Sequence, residues 1–367
     1  MPAGKLELSR RYDASSMKAV ILAGGEGTRL RPLTLRVPKP VVPVVDRPFL
    51  RHQLDLLSRV GVDEVVFSIG YQPDRVQAAF GDGAAVGKRI RYAVEQTALG
   101  TGGAVKNAER WLDGVTLVFN GDVLTDVDLP AVVERHRSTG AAATIVLTPV
   151  PDPTNYGLVE TDSDGRVRRF IEKPDRSQVT TDTINAGIYV LETSTLALMP
   201  PAVNYSIERA FFPALLARGD RVTAYVHRGY WIDIGTPEKY LQVHRDILGR
   251  RFSVDLDGER RDGGWVHRTA ALDGAAAVEG PFYVGPRCQV AAGARIGPGA
   301  VLTAGVSVAA GATLADCVLW EGTRVEQEAR VHGALVGGGV QIGARASVAP
   351  RAVLGEGTVI TDFSRTG

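Results

Sequence analysis

The run Gly24-Gly25-Glu26-Gly27-Thr28-Arg29-Leu30-Arg31-Pro32-Leu33-Thr34 follows directly on an apolar stretch, Lys18–Ala23, that reads as a strand. Glycines let backbone N–H groups close on an anion and form a nest for phosphate oxygens. Arg29 adds a planar guanidinium suited to the same ligand. Two better-known phosphate loops do not fit. The dinucleotide fingerprint needs a third glycine where Leu30 stands, and Asp46, roughly 20 residues on, has no strand pattern before it. A P-loop needs Gly-Lys followed by Ser or Thr, and that is absent. Pro38-Lys39-Pro40 then holds a lysine between two prolines in what reads as a stiff extended segment. Its ammonium suits a departing pyrophosphate; the plainer reading is a surface lysine in a proline-rich loop. Asp122 follows Gly121 at the end of a buried-type run, where a carboxylate can reach a Mg²⁺ at the ligand-binding edge of a sheet. Asp233 stands between Ile232 and Ile234, an expensive place for a lone charge that a metal shared with Asp122 compensates. Either aspartate can also be read as a turn or capping residue.

Other chemistries are missing. There is no Gly-x-Ser-x-Gly, no His-Glu-x-x-His and no cysteine–histidine nucleophile pair. The lone His332 reads as structural rather than as the histidine of an acyltransferase. Lysine and arginine number 42 against 41 acidic residues, so no overall field draws nucleic acid or an anionic membrane. Cys288 and Cys317 are far apart and in no metal-ligand spacing, which excludes a disulfide scaffold or zinc site and points to a reducing cytoplasm. Residues 1–16 are polar and lack a signal-peptide core; they read as a disordered extension, a cloning remnant or an early start ahead of Met17. The uncharged stretch Ile296–Ala315 is broken by Gly297, Pro298, Gly299, Gly305 and Gly311 and is no membrane span.

Strands alternate with helices up to residue 250. Expected strands are Val62–Ile69, Arg89–Glu95, Val115–Asn120 and Ala142–Val150, with a hairpin of Leu158–Glu160 and Val167–Phe170 about Asp164-Gly165. Expected helices are Arg47–Val60, Thr101–Leu112, Leu129–Ser138, Ile207–Arg218 and one opened by Thr236-Pro237-Glu238. This alternation implies an α/β domain with a Rossmann-like, mainly parallel sheet whose ligands sit beyond the carboxyl ends of the strands. After residue 277 the period becomes six, through Val284, Val290, Ile296, Leu302, Val308, Leu314 and Trp320, then with one-residue slips through Val325, Val331, Val336, Ile342, Val348, Leu354 and Ile360. A sustained six-residue period is the mark of a hexapeptide β-helix. The expected layout is therefore a domain at 17–250, a linker at 251–277 and a β-helix at 278–362. Small residues such as Ala291, Ala294, Ala300, Ala309 and Ala312 are expected on flat faces through which the chain self-associates as a homo-oligomer.

The glycine loop and Pro38-Lys39-Pro40, with Asn120-Gly121-Asp122, Phe170-Ile171-Glu172-Lys173-Pro174, Asn185-Ala186-Gly187 and Trp231-Ile232-Asp233-Ile234-Gly235-Thr236, together resemble the sugar-1-phosphate nucleotidyltransferases. The resemblance covers residues 17 to about 250, and within the family it is strongest to the mannose-1-phosphate guanylyltransferases, whose β-helix is of the left-handed hexapeptide kind. It implies nucleotide binding by Ala23, Gly24, Gly25, Gly27, Thr28, Arg29, Glu95, Gly100, Thr101 and Gly121. It implies sugar-phosphate binding by Gly157, Glu172, Lys173 and Asn185, catalysis by Arg29, Lys39 and Lys173, and a Mg²⁺ on Asp122 and Asp233. Glu172 and Lys173 can otherwise be read as an exposed ion pair.

Thymidylyl members of the family have a glutamine where Glu95 stands, and it reads the base. Guanine presents two adjacent donors, which a carboxylate with acceptors only can match; the plainer reading is a solvated glutamate at a strand end. The resemblance thus implies a cytoplasmic enzyme with GTP and mannose 1-phosphate as its favoured substrates. Two rivals stay open: dTTP or UTP with glucose 1-phosphate, and a non-catalytic subunit that senses a nucleotide sugar.

Overall fold

The computed structural model describes residues 17–366, with the side chain of Glu172 outside that set. The expected extension at 1–16 lies outside the described residues. The chain divides into two compact units: residues up to Gly25 with Leu50–Trp231, and Glu26–Phe49 with Ile232 onward.

The first unit is built on a nine-stranded sheet. Lys18–Leu22 lies between Glu64–Ile69 and Val115–Asn120, and both pairings are parallel. Arg89–Val94 extends the parallel side. The three inner strands are near-continuous apolar runs, with Val20, Val66 and Val118 fully buried, as a sheet covered on both faces requires, whereas Arg89–Val94 alternates, with Arg89 and Arg91 exposed. The other side is mostly antiparallel, with Val222–Val226 parallel to Ala143–Pro149 at its margin. Thr183–Glu192, whose strand character escaped the sequence reading, runs against Val115–Asn120 and against Ala143–Pro149. The sheet is therefore mixed, and parallel on the side that carries the glycine loop. The hairpin at Asp164-Gly165 is present, as Gly157–Thr161 and Val167–Glu172.

Local differences have local causes. The helix expected from Arg47 begins at Phe49, because Arg47–Pro48 pairs with Pro43–Val44 in a tight hairpin. The expected Ile207–Arg218 helix opens as a π-turn over Ile207–Phe211 before Phe212–Ala217 becomes α-helical. Lys39 is not in an extended segment. Only Pro38 is extended, and Lys39–Val41 forms a 3₁₀ turn.

The second unit holds three parallel stacks of short strands, which build a parallel β-helix. Inward residues stack coil on coil, as in Val266–Val284–Leu302–Leu319–Val336–Leu354. Strands Gly264–Val266, Ala271–Leu272 and Ala277–Val278 already pair with the next coil, so the first coil is laid within the stretch expected as linker. The repeat was also misread by one residue at Trp320. Leu319 takes the interior position, and Trp320 packs outside the coil against Tyr240. Ala294, Ala300 and Ala312 line the coil interior and are not on its faces. The outward residues of one stack include Gln289, Ser307, Arg324 and Gln341, so that face is polar.

Cys288 and Cys317 are fully buried. Burial pushes the Cys288 thiol up to about 11 and raises that of Cys317 as well. Neither is a thiolate near neutral pH, so neither should react with a thiol reagent in the native protein, and both should react once it unfolds. Prompt labelling of either under native conditions would contradict this closed coil.

Candidate active site

In the first unit, Ala23 ends the first strand by donating its N–H to the Ser68 carbonyl at 2.8 Å. Gly24 follows, half-buried, with Gly25 exposed beside it. Gly24 lets Glu95 approach closely: a methyl group there would lie 2.7 Å from Glu95 Oε1 and displace the carboxylate. The Glu95 carboxylate is held by two donors, Ser68 Oγ at 3.0 Å on Oε1 and the Leu99 N–H at 3.1 Å on Oε2. It is a fixed acceptor against the glycine loop rather than a solvated strand end. Gly121 donates its N–H to Leu22 O at 2.8 Å, which locks the Asn120–Asp122 corner to the end of the central strand and leaves Asp122 half-buried.

Gly100 opens the helix Gly100–Ala108, packed under the backbone of Tyr205. The Thr101 hydroxyl is committed within the protein. It donates to Glu208 Oε2 at 2.8 Å and accepts the Ile207 N–H at 2.9 Å. Glu208 is the hub of this network, since its Oε1 accepts from Tyr189 Oη, which in turn accepts from Asn185 Nδ2.

Asn185 and Gly157 line a cavity of about 180 Å³ with Phe170, Glu208 and Arg209. Sequence reading missed Glu208 and Arg209. Their only signal was two charges at the mouth of an otherwise apolar helix, and the π-turn that presents them has no sequence mark. Lys173 leaves the hairpin in a left-handed conformation, φ 50°, which a non-glycine residue adopts at a cost. Its N–H donates to Tyr156 O at 3.0 Å, and its side chain is exposed.

In the second unit, the loop from Gly27 folds as successive 3₁₀ turns, Thr28–Leu30, Leu33–Leu35 and Lys39–Val41. The Thr34 hydroxyl closes it on Gly27 O at 2.7 Å. Arg29 and Thr28 are exposed, whereas Lys39 is only 9% exposed. Arg29 and Asp233 meet at Gly235: a methyl group there would lie 2.8 Å from Arg29 Nη2 and 2.9 Å from Asp233 Oδ2. Asp233 Oδ1 accepts from Lys239 Nζ, so its charge is balanced within the protein. Thr236 caps the helix Pro237–Leu248 through the Lys239 N–H and so fixes where Lys239 begins its reach. Among the described residues no three acidic, histidine or cysteine side chains cluster to hold a metal by themselves. No helix there is long and apolar enough to cross a membrane.

Comparison with known proteins places this arrangement. The family model described as nucleotidyl transferase matches residues 18–250, and that of the GMPPB C-terminal domain matches 278–364. A mannose-1-phosphate guanylyltransferase of Mycobacterium tuberculosis is 42% identical over 281 residues, covering 76% of this chain and 77% of the relative. A UTP–glucose-1-phosphate uridylyltransferase of Synechocystis is 32% identical over 339 residues, covering 88% and 87%. The crystal structure of HddC from Yersinia pseudotuberculosis complexed with GMP-PN is 32% identical with a TM-score of 0.53, covering 62% of this chain and 97% of that one.

Proposed function

The chain belongs to the nucleotidyl transferase family, and we propose that it joins mannose 1-phosphate to the guanylyl group of GTP, giving GDP-mannose and pyrophosphate. The observation that carries this reading is the likeness to the guanylyltransferase, at higher identity than to the uridylyl enzyme. The acceptor-only Glu95 beside Gly24 supports the choice of base. A sugar-phosphate oxygen attacks the α-phosphorus in line as the bond to the β-phosphate oxygen breaks and pyrophosphate leaves. Positioning and charge neutralisation do most of the work in such a transfer.

The backbone of Ala23, Gly24, Gly25, Gly27 and Thr28 cradles the triphosphate, with Gly100, Thr101 and Gly121 beside the nucleoside. Arg29 and Lys39 neutralise the leaving pyrophosphate. Lys173 holds and aims the sugar phosphate, and Gly157, Glu172 and Asn185 bind the sugar. Asp122 and Asp233 are assigned to Mg²⁺. The donor set fits that ion: two hard carboxylates without a three-residue cage match a cation that takes one or two carboxylates and completes its shell with phosphates and water. When bound, the ion supplies further charge compensation to the phosphates. We also assign the chain to the cytoplasm, where its two free cysteines are stable.

Glu95→Gln tests the base assignment. It should weaken kcat/KM for GTP by about 1–3 kcal/mol, as when a donor loses its acceptor, and move the GTP-to-dTTP preference towards dTTP. An unchanged ratio would remove Glu95 from base reading. Self-association through the β-helix belongs to the same proposal. Sedimentation of the full chain should give a closed oligomer, and a monomer at every concentration would end that part of it.

A further inference from the structure

The helix Phe49–Ser58 turns one apolar face inward, with Leu50, Leu54 and Leu57 at 1% exposure or less. Gln53 stands on that same face, one turn from Leu50 and Leu57, and is itself only 2% exposed. A glutamine on a buried helix face is costly unless its amide is used. Its Nε2 donates to Asn120 O and to Val123 O, each at 2.8 Å. The two carbonyls take both N–H bonds of the amide. They also fix which way round it lies, since an amide oxygen set against two carbonyl oxygens would be repelled.

Those two carbonyls flank a two-residue connection. The strand Val115–Asn120 ends at the first, Val123–Thr125 begins at the second, and only Gly121 and Asp122 lie between. Gly121 leaves no room for a side chain that could brace this corner: a methyl group there would lie 2.6 Å from Leu22 O. Its N–H on Leu22 O holds one end. Gln53 ties both ends through one planar carboxamide, which sets the span of the corner and with it the direction in which the Asp122 carboxylate leaves it. The corner keeps two polar atoms at a cost. Gln53 Oε1 and Asn120 Oδ1 are buried without a hydrogen-bond partner. Buried polar atoms left open are uncommon and each needs a reason; the reason here is the geometry of the corner that carries Asp122.

We propose that Gln53 is a positioning residue for the transfer reaction: it holds the Asn120–Val123 corner so that the Asp122 carboxylate is pre-set for the divalent ion. The inference rests on the assignment of Asp122 to Mg²⁺ made above. Gln53 acts only through the backbone of residues 120–123. Groups one layer behind a metal ligand commonly change metal affinity or activity by about 10–100-fold when removed.

Mn²⁺ binding to the full chain without nucleotide, followed by electron paramagnetic resonance, tests this apart from turnover. Gln53→Met keeps the length of the side chain and removes both donors. Gln53→Glu keeps its shape and sets an acceptor against the two carbonyls. Each should weaken Mn²⁺ binding about tenfold or more. Gln53→Met should also lower kcat at low Mg²⁺, with recovery at high Mg²⁺ and an unchanged KM for mannose 1-phosphate. Leu57→Ala, which loosens the same helix by leaving a cavity, should lower the unfolding temperature and leave Mn²⁺ affinity as it was. Hydrogen exchange at residues 120–123 of the metal-free protein should quicken in Gln53→Met and not in Leu57→Ala. The inference is overturned if Gln53→Met binds Mn²⁺ as the parent does while Asp122→Asn does not, or if Leu57→Ala weakens Mn²⁺ binding as much as Gln53→Met. If Asp122→Asn binds Mn²⁺ as the parent does, the metal assignment fails and this inference falls with it. If Gln53→Glu fails to fold, Gln53→Met still decides.

Discussion

Asp233→Asn and Asp122→Asn are each expected to lower kcat by about 10²-fold or more, as when a ligand to a catalytic divalent ion is lost. Asp233 has 14% side-chain exposure and is paired with Lys239, so its carboxylate is held in one orientation whether or not an ion is bound. Asparagine keeps the shape and removes the charge. Binding of Mn²⁺ as a probe for Mg²⁺ should weaken in parallel, while circular dichroism and thermal unfolding should report an intact fold. Near-normal turnover of both variants at low Mg²⁺, with Mn²⁺ affinity unchanged, would remove the two aspartates from the metal site. Loss of turnover with Mn²⁺ affinity retained would move Asp233 to a different role, orienting Arg29 across Gly235.

Trp320→Ala should destabilise the full chain by about 3–5 kcal/mol, the range for truncating a buried large aromatic. Trp320 is 4% exposed, stands edge-on to the Tyr240 ring at 6.3 Å between centroids, and donates its indole N–H to the Tyr240 hydroxyl. Tyr240 is itself fully buried, so removing the indole leaves both a cavity and an orphaned hydroxyl lone pair. Trp320→Phe, which fills most of the space and loses only the N–H, should cost far less. Urea unfolding followed by tryptophan-independent circular dichroism reads both variants. A loss below about 1 kcal/mol in Trp320→Ala would show that the contact contributes little beyond excluding water.

Trp320 also shows how far periodicity carries. Fourteen bulky residues at near-constant spacing were enough to identify a β-helix, because each interior position recurs by geometry. The slip was misplaced because leucine and tryptophan are both bulky: Leu319-Trp320 offers two candidates for one interior position, and only the coil-to-coil pairing of Leu302 with Leu319 decides between them. The first coil was legible and was passed over: Val266, Leu272 and Val278 continue the six-residue step back from Val284, but Arg260, Arg261 and the nearby glycines gave that stretch the look of a linker.

In the sheet unit the buried parallel strands were legible as apolar runs. Thr183–Glu192 was not, since Asn185, Ala186 and Gly187 interrupt its apolar pattern and its pairing shifts there. That same interruption places Asn185 at the cavity and lets it bond Tyr189. The motif residues were legible because phosphate and carboxylate chemistry needs particular side chains. Glu208 was not, because its importance lies in long-range partners, Thr101 and Tyr189, that no local pattern reveals.

Pyrophosphate release measured for ATP, GTP, UTP and dTTP, each with mannose, glucose and N-acetylglucosamine 1-phosphates in the presence of Mg²⁺, tests the proposed reaction most directly. The highest kcat/KM is expected for GTP with mannose 1-phosphate, with GDP-mannose as the product by mass. A maximum at UTP or dTTP with glucose 1-phosphate would contradict the assignment of base and sugar. No release from any of the twelve pairs would contradict catalysis itself and favour a subunit that only binds the nucleotide sugar.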